Sequence, residues 1–150
     1  MNIQQLARNT KATLVKTTVV AGTSDIQSDA VDMAGYEGVV FYISMGAITA
    51  TAVTSANVQQ SSTAALAGTE TDILGSKITI ADDDDNQMAI IDLYRPSKRY
   101  VNAIVLRATA NSVINSIIAV QYGSGKLPTT NDTATVIDAL TLISPAEGTP

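Results

Sequence analysis

Apolar and polar residues alternate in short runs along much of the chain, and this pattern predicts β-strands. The clearest run is residues 38–45, whose alternate positions form one apolar face: Val39, Phe41, Ile43 and Met45. A period of two places successive side chains on opposite faces of a sheet. Phe41 is the only phenylalanine in the chain, and we expect it in the core. Because no segment carries a long apolar repeat of about 3.6 residues, no long helix is predicted.

Eight further segments have strand character, and turn residues separate them at intervals of about ten residues. They are residues 13–20, 25–33, 48–60, 77–81, 87–94, 99–107, 113–122 and 135–143. In residues 113–122 the alternation places Ile114, Ile118, Val120 and Tyr122 on one face. Eight or nine strands at this spacing are typical of a sandwich or barrel. We therefore predict an all-β fold, an antiparallel β-sandwich of jelly-roll type with a short N-terminal arm.

The chain is predicted to form one domain, since 150 residues are enough to bury a core without being split. Residues 13–150 form the predicted sandwich domain. Residues 1–12 form the arm, in which Ile3, Leu6 and Ala7 allow one amphipathic turn. An unordered terminus is the alternative for the arm. Residues 61–76 have no clear period, and we interpret them as a long connection that serves as a contact loop or as a crossover between two sheets.

The composition favours strands and excludes several kinds of chemistry. Hydrophobic residues make up 45% of the chain, mostly Ala, Val and Ile, and charged residues only 15%. Because cysteine and histidine are both absent, disulfides, thiolate nucleophiles and histidine-based triads are impossible. Neither a Ser-x-x-Lys motif nor a phosphate-loop spacing occurs. We therefore predict that the protein is not an enzyme and that it uses no cofactor.

The charge balance limits the classes of partner. The chain has 9 Lys and Arg against 14 Asp and Glu, a net charge of −5 that repels phosphate backbones, so no nucleic-acid binding is predicted. No uninterrupted apolar run approaches the roughly 20 residues that cross a bilayer, so no membrane partner is predicted either. Residues 1–14 lack the apolar region and the cleavage site of a secretory signal, and we expect synthesis in the cytoplasm.

Four consecutive aspartates at residues 82–85 form the strongest charge cluster. Asp82 and Asp84 are the candidates for binding a cation such as Ca²⁺, which takes about six to eight oxygen ligands. However, the spaced carboxylates, the glycine and the distal glutamate of an EF-hand loop are missing. We therefore favour a solvated hairpin turn whose charge discourages aggregation of its apolar neighbours, and we predict no metal.

The run that follows the aspartates, residues 87–94, is apolar on both faces. One face carries Ala89, Ile91 and Leu93, and the other carries Met88, Ile90, Asp92 and Tyr94. This pattern predicts a strand that is covered on both sides, within the sandwich or against another subunit. Pro96 then ends the pairing, because proline lacks a backbone N–H.

A cluster of tyrosines and cations surrounds this proline: Tyr94, Arg95, Lys98, Arg99 and Tyr100. Tyrosine rings beside guanidinium groups make a competent protein-contact patch. We predict that these five residues form an interface. The alternative is an internal salt link that joins the cluster to Asp92 or to the acidic turn.

Five stretches between residue 34 and the C terminus carry a resemblance to a known family. They are AGYEGVVFYISMG, the acidic turn with the aliphatic strand after it, RPSKRYV, AVQYG and the closing SPAEG. Together they resemble a family of small structural proteins of tailed bacteriophages, the head decoration or cement proteins. Such proteins are typically encoded close to the major capsid protein.

The resemblance implies a virion protein that binds the outer surface of the capsid, often as a homotrimer. There it would bridge major capsid protein subunits and stabilise the shell. The family brings no catalytic residues. Two alternatives are another virion component, such as a tail, neck or head-fibre protein, and a carbohydrate-binding β-sandwich for host attachment. The absence of tryptophan disfavours the carbohydrate-binding alternative, because such domains usually offer aromatic platforms.

Overall fold

The computed structural model describes residues 5–142 and 147–148, and in these residues one helical turn precedes eleven strands. The elements are α1 (Leu6–Asn9), β1 (Lys11–Lys16), β2 (Val19–Gly22), β3 (Ile26–Gln27), β4 (Val31–Asp32), β5 (Gly38–Ile48), β6 (Val53–Ser61), β7 (Thr71–Asp72), β8 (Ile78–Ile80), β9 (Met88–Tyr94), β10 (Tyr100–Ala108) and β11 (Ser112–Tyr122). The predicted all-β fold class is confirmed.

The strands form two antiparallel sheets that pack face to face. Sheet A has the order β1-β11-β5-β9, with β2 also paired to β11. Sheet B has the order β3-β10-β6-β7, with β4 also paired to β10 and β8 to β6. The chain therefore pairs from its ends inwards, β1 with β11, β3 and β4 with β10, β5 with β9, and β6 with β7 and β8. This is the pairing of a long hairpin rolled into two sheets, which is the jelly-roll arrangement.

The inner faces of the two sheets supply the core. In β5 the predicted apolar face is confirmed, because Val39, Phe41 and Ile43 are completely buried and Met45 is 1% exposed. Sheet B contributes smaller side chains opposite them: Ala56, Val58, Val101, Ala103 and Val105. Small and β-branched residues fit between two pleated surfaces, so the absence of tryptophan does not prevent close packing.

The alternation in β11 is interrupted by irregularities of register. Pairing with β5 shifts between Ile114 and Ser116, and one extra residue on β11 reverses the faces of all that follow. Ile114 and Ile117 therefore both point into the core, whereas Ile118 is 37% exposed. The predicted common face of Ile114, Ile118, Val120 and Tyr122 is wrong, because the sequence pattern does not show the bulge.

Several predicted element boundaries also differ. Residues 13–20 form two strands, β1 and β2, instead of one, and residues 25–33 form the short strands β3 and β4. β5 continues through Gly46 to Ile48, and β6 begins only at Val53. Gly46 is needed for close approach and not for a turn, since a Cβ there would lie 2.8 Å from Val113 Cγ1. In the predicted arm, Ile3 lies outside the described residues, Leu6 begins α1, and β1 already starts at Lys11.

Residues 61–76 do not cross between the sheets, because β6, β7 and β8 all belong to sheet B. The crossover interpretation is therefore wrong, and the segment is an excursion that returns to the same sheet. The side-chain amides of Asn57 and Gln59 in β6 each donate to Asp72 Oδ1 in β7 at 2.9 Å. These two hydrogen bonds attach β7 to β6.

The predicted last strand, residues 135–143, is not a strand over residues 135–142, and Ile143 lies outside the described residues. Three of its large apolar side chains are open to solvent, with Ile137 104% exposed, Leu140 74% and Leu142 63%. A strand needs an edge to pair with, and this segment pairs with neither sheet of its own chain. Alternation alone does not supply that partner.

Candidate interaction surface

The cluster around Pro96 lies where the chain leaves sheet A and enters sheet B. The Gln60 side chain holds this corner, because its Oε1 accepts hydrogen bonds from Ser97 N at 3.2 Å, Ser97 Oγ at 3.0 Å and Lys98 N at 3.3 Å. Arg95 has a positive φ of 51°, which turns the chain before the proline. The predicted end of pairing at Pro96 is thus found in the structure as a corner between β9 and β10.

Tyr94 and Arg95 are exposed members of the cluster. The guanidinium carbon of Arg95 lies 5.1 Å from the centroid of the Tyr94 ring, and its Nη2 lies 3.7 Å from the Glu37 carboxylate. Tyr94 is 55% exposed, and the Arg95 side chain is 70% exposed. Both groups are therefore available to a partner, with the guanidinium already oriented by the ring and the carboxylate.

Arg99 and Lys98 are engaged within the chain. Arg99 donates to both oxygens of Asp32 at 2.8 Å, and the guanidinium carbon lies 5.2 Å from the Tyr100 ring centroid. Lys98 Nζ donates to Thr71 Oγ1 at 3.0 Å. The hydrogen bond from Arg99 holds the pKa of Asp32 below its ordinary value. An internal salt link therefore exists, but its acceptor is Asp32 rather than Asp92 or the acidic turn.

The acidic turn is a structural connection and not a hairpin, since it leads from β8 in sheet B to β9 in sheet A. Its carboxylates accept backbone N–H groups: Asp82 from Thr51 at 2.6 Å, Asp84 from Ala81 at 2.8 Å, and Asp85 from Ile48. Two of these bonds tie the turn to the connection between β5 and β6. The predicted hairpin is wrong, because the turn joins strands of two different sheets. Its four aspartates remain exposed or partly exposed to solvent, and three of them also accept backbone N–H groups.

Asp82 and Asp84, the candidate cation ligands, direct their bonded oxygens at amides of different segments. Among the described residues, no group of three or more Asp, Glu, His or Cys side chains is arranged to hold a metal ion. In the same part of the chain, no helix has both the length and the apolar character to cross a membrane.

The outer face of sheet A is apolar across all four of its main strands. Cross-strand pairing aligns one row of four residues, Leu14, Ile118, Tyr42 and Ile90. A second row beside it consists of Ala12, Val120, Val40 and Asp92. We call these two rows the outer apolar face. Its aliphatic and aromatic members come from strands far apart in sequence, and only the sheet brings them together.

This face is open in the isolated chain. Ile90 is 50% exposed and Ile118 37%, and at the margin Met88 is 52% and Tyr94 55% exposed. The inner side of β9 is covered, with Ile91 only 8% exposed. The prediction that residues 87–94 are covered on both sides therefore holds for one side within the chain. Sequence reasoning missed Leu14, Tyr42 and Val120, although apolar residues at both alternating positions of β5 and β11 were a usable signal.

The single carboxylate of the outer apolar face, Asp92, has a partner. Tyr122 donates its hydroxyl to Asp92 Oδ1 at 2.7 Å. The Tyr122 ring lies over Gly38, where a Cβ would come within 2.2 Å of Cζ. Burial, and then the hydrogen bond to Asp92, raise the pKa of Tyr122 above its ordinary value. Glycine at position 38 therefore lets the ring lie flat and bring its hydroxyl to the carboxylate.

Comparisons with known proteins bear on the fold. No protein-family model matches the chain, and a search of curated proteins gave no match. Among solved structures, the PBSX exported protein XepA is similar with a TM-score of 0.50 at 14% identity, over 98% of this chain and 47% of that protein. The infectious bursal disease virus VP2 subviral particle has a TM-score of 0.40 at 10% identity, over 81% of this chain and 32% of that one. The chain thus shares the fold of XepA and spans about half its length.

Proposed function

We propose that the protein is a structural virion protein that binds the outer surface of a phage capsid and stabilises it by bridging major capsid protein subunits. The observation that carries this proposal is the outer apolar face of sheet A. An antiparallel sheet with one face on the core normally presents polar side chains on the other. Contiguous apolar surface of this kind marks protein-binding sites, because its burial is favourable and its exposure is not.

The corner between β9 and β10 lies at the margin of this face and supports the same proposal. Tyr94 lies opposite Gly38 in the cross-strand pairing, one step beyond the row that contains Asp92. Tyrosine and arginine are enriched at protein interfaces, where they combine apolar area with hydrogen bonding. Tyr94 and Arg95 would then contribute polar and aromatic contacts around an apolar centre. The predicted interface of Tyr94, Arg95, Lys98, Arg99 and Tyr100 would thus divide into two contact residues and three that shape the corner.

Two further points support a phage virion role. The fold is shared with a protein whose description names it as a PBSX exported protein, and the sequence resembles the decoration proteins of tailed phages. The proposal therefore assigns the chain a role in binding by surface complementarity, with the major capsid protein as partner and a homotrimer as the binding unit.

Expanded capsids that lack decoration provide the test. Added protein should bind to saturation at a fixed ratio to the capsid subunits and raise the temperature at which the shell is disrupted. Ile118→Lys places a charge at the centre of the outer apolar face, and we expect binding to weaken by about tenfold or more, because the ammonium group must be desolvated. Absence of binding by the unaltered protein would contradict the proposal.

Val53→Lys is the matched control, because Val53 is 61% exposed on sheet B and does not belong to the outer apolar face. This variant should bind like the unaltered protein. Equal loss of binding in the two variants would show that added positive charge, and not the outer apolar face, controls binding. Thermal unfolding of both variants checks that the sandwich is intact. A particle reconstruction would distinguish a position on the shell from one on the tail, neck or head fibre.

A further inference from the structure

The edge of sheet A that β9 forms is open. In its pairing with β5, Arg95 N donates to Glu37 O at 2.7 Å and Gln87 O accepts from Met45 N at 2.9 Å. In an antiparallel pair, residues that bond to the partner alternate with residues whose N–H and C=O point away from it. Four residues of β9 therefore direct both backbone groups to the open edge: Met88, Ile90, Asp92 and Tyr94.

Little protects this edge from another strand. Natural sheet edges are usually blocked by lysine, proline, a bulge or a covering loop. β9 contains neither lysine nor proline, its pairing with β5 is regular, and Pro96 lies beyond its end. Among the described residues, no other strand pairs with its free side. Met88 and Ile90 are also half exposed, so an added strand would bury apolar area as well as satisfy hydrogen bonds.

The same chain contains a strand-forming segment without a partner. Residues 135–142, TVIDALTL, alternate in the manner of a strand but adopt no strand. Ile137, Leu140 and Leu142 expose most or all of their side chains. The chain thus carries an unpaired apolar edge and an unpaired apolar segment. We propose that residues 135–142 of one copy add as a strand to β9 of a second copy.

The positions of the two elements favour exchange between copies. Just before the segment, Thr129 N donates to Arg8 O at 2.8 Å and Asn131 Oδ1 accepts from Ala12 N at 2.9 Å. The segment therefore starts beside β1, at the edge of sheet A opposite β9, three strand spacings or about 14 Å away. A contact between opposite edges joins copies head to tail, and such contacts close into a ring when the rotation allows. A ring of three would be the homotrimer that the resemblance implies.

The acceptor edge also has room for an apolar side chain. A cleft of about 90 Å³ opens between β8 and β9 and is lined mainly by apolar residues, among them Ile78, Ile80 and Ala89. A strand added to β9 would direct alternate side chains towards the outer apolar face and towards this cleft. Each element carries one carboxylate, Asp92 and Asp138, so we expect a register that keeps the two apart.

Truncation provides the first test, with molar mass measured by light scattering after size exclusion. A chain ended after Ala134 should be monomeric, because it lacks the donor strand. A chain ended after Leu142 is the matched control and should form the same oligomer as the full chain. Circular dichroism should show the sandwich intact in both. A monomeric full chain, or an unchanged oligomer after loss of residues 135–142, would overturn the proposal.

Two substitutions at one position separate strand addition from side-chain packing. Ile90→Pro removes an N–H that points to the open edge and leaves the hydrogen bonds to β5 in place. Ile90→Ala removes apolar area but keeps that N–H. We expect monomers from Ile90→Pro and a weakened oligomer from Ile90→Ala. Equal dissociation in the two variants would mean that the side chain, and not the backbone edge, makes the contact, which contradicts the proposal.

Because the chain contains no cysteine, a thiol cross-linker can join only the cysteines that are introduced. A chain with both Met88→Cys and Leu140→Cys, treated with a short bismaleimide, should give covalent multimers on a denaturing gel. A chain with Val53→Cys and Leu140→Cys is the control and should stay monomeric. Cross-links only within single chains, or none, would overturn the proposal. None of these assays contains a capsid, so their outcome is independent of the proposed capsid binding.

Discussion

Arg107 offers a sharp test of how the sandwich is held together. Its side chain is buried, and the residue is only 5% exposed. Nε donates to Ser24 O at 2.7 Å, and Nη1 donates to Val20 O at 3.1 Å and to Ser112 O at 2.6 Å. The guanidinium therefore joins β2 and the loop after it to the start of β11. Burial lowers the pKa of Arg107 from its ordinary value, and the charge of Asp25 opposes that shift.

The cost of Arg107→Met can be worked from these contacts. Three hydrogen bonds from a charged donor contribute about 1.5–3 kcal/mol each. Removing the buried charge recovers a desolvation penalty of several kcal/mol. Val20 and Ser24 are exposed residues, but Ser112 is fully buried and its carbonyl loses a donor. We expect a net loss of about 2–3 kcal/mol, or roughly 4–12 °C in midpoint for a domain of this size.

Urea unfolding at pH 7 and one protein concentration measures this loss, and the slope of the transition should stay unchanged. Arg107→Lys should recover little of it, because one ammonium group does not span three carbonyls. Arg95→Met is the control at an exposed arginine, whose contact with Glu37 is long at 3.7 Å, and it should leave the midpoint nearly unchanged. If Arg107→Met unfolds within about 0.5 kcal/mol of the unaltered chain, the hydrogen bonds do not outweigh desolvation, and the reasoning fails.

Two further predictions concern smaller contacts. Gly38→Ala should cost about 1–3 kcal/mol, because its Cβ would overlap the Tyr122 ring. Adding Tyr122→Ala should recover part of that loss, and strict additivity in the double-mutant cycle would contradict this explanation. Arg99 lowers the pKa of Asp32, so the pair stabilises the fold above the unfolded pKa of about 4 and less as pH falls through the folded value. The difference in unfolding free energy between the unaltered chain and Asp32→Asn should therefore shrink from pH 6 towards pH 3; a constant difference would rule out this linkage.

The sequence pattern was sufficient to predict an element that is regular and buries one face in the core. The face of β5 that contains Phe41 follows from alternation alone, because a period of two has a single way to bury its apolar residues. The corner at Pro96 follows from the missing N–H of proline. The two apolar faces of β9 were also visible in the sequence, and in the structure the face with Ile91 is buried while the face with Ile90 is exposed.

Long-range pairing decided what the pattern could not. The extra residue in β11 reverses the faces of Ile117 and Ile118, and no property of those two residues announces it. Asp32 and Arg99 are 67 positions apart in the sequence and meet because β4 lies beside β10. The acidic turn has the composition of a hairpin, but its carboxylates bind amides of the connection between β5 and β6, which only the arrangement of the two sheets brings within reach.

The sequence by itself determined that the protein is a β-sandwich without histidine or cysteine chemistry, because composition and period are local properties that every strand repeats. Only the tertiary structure decided which apolar residues remain outside. Leu14, Tyr42, Ile90 and Ile118 are separate hydrophobic positions along the chain, and cross-strand register aligns them into one open face. Residues 135–142 have the alternation of a strand, yet whether they become one depends on an available edge, and that edge is a property of the assembled sheet.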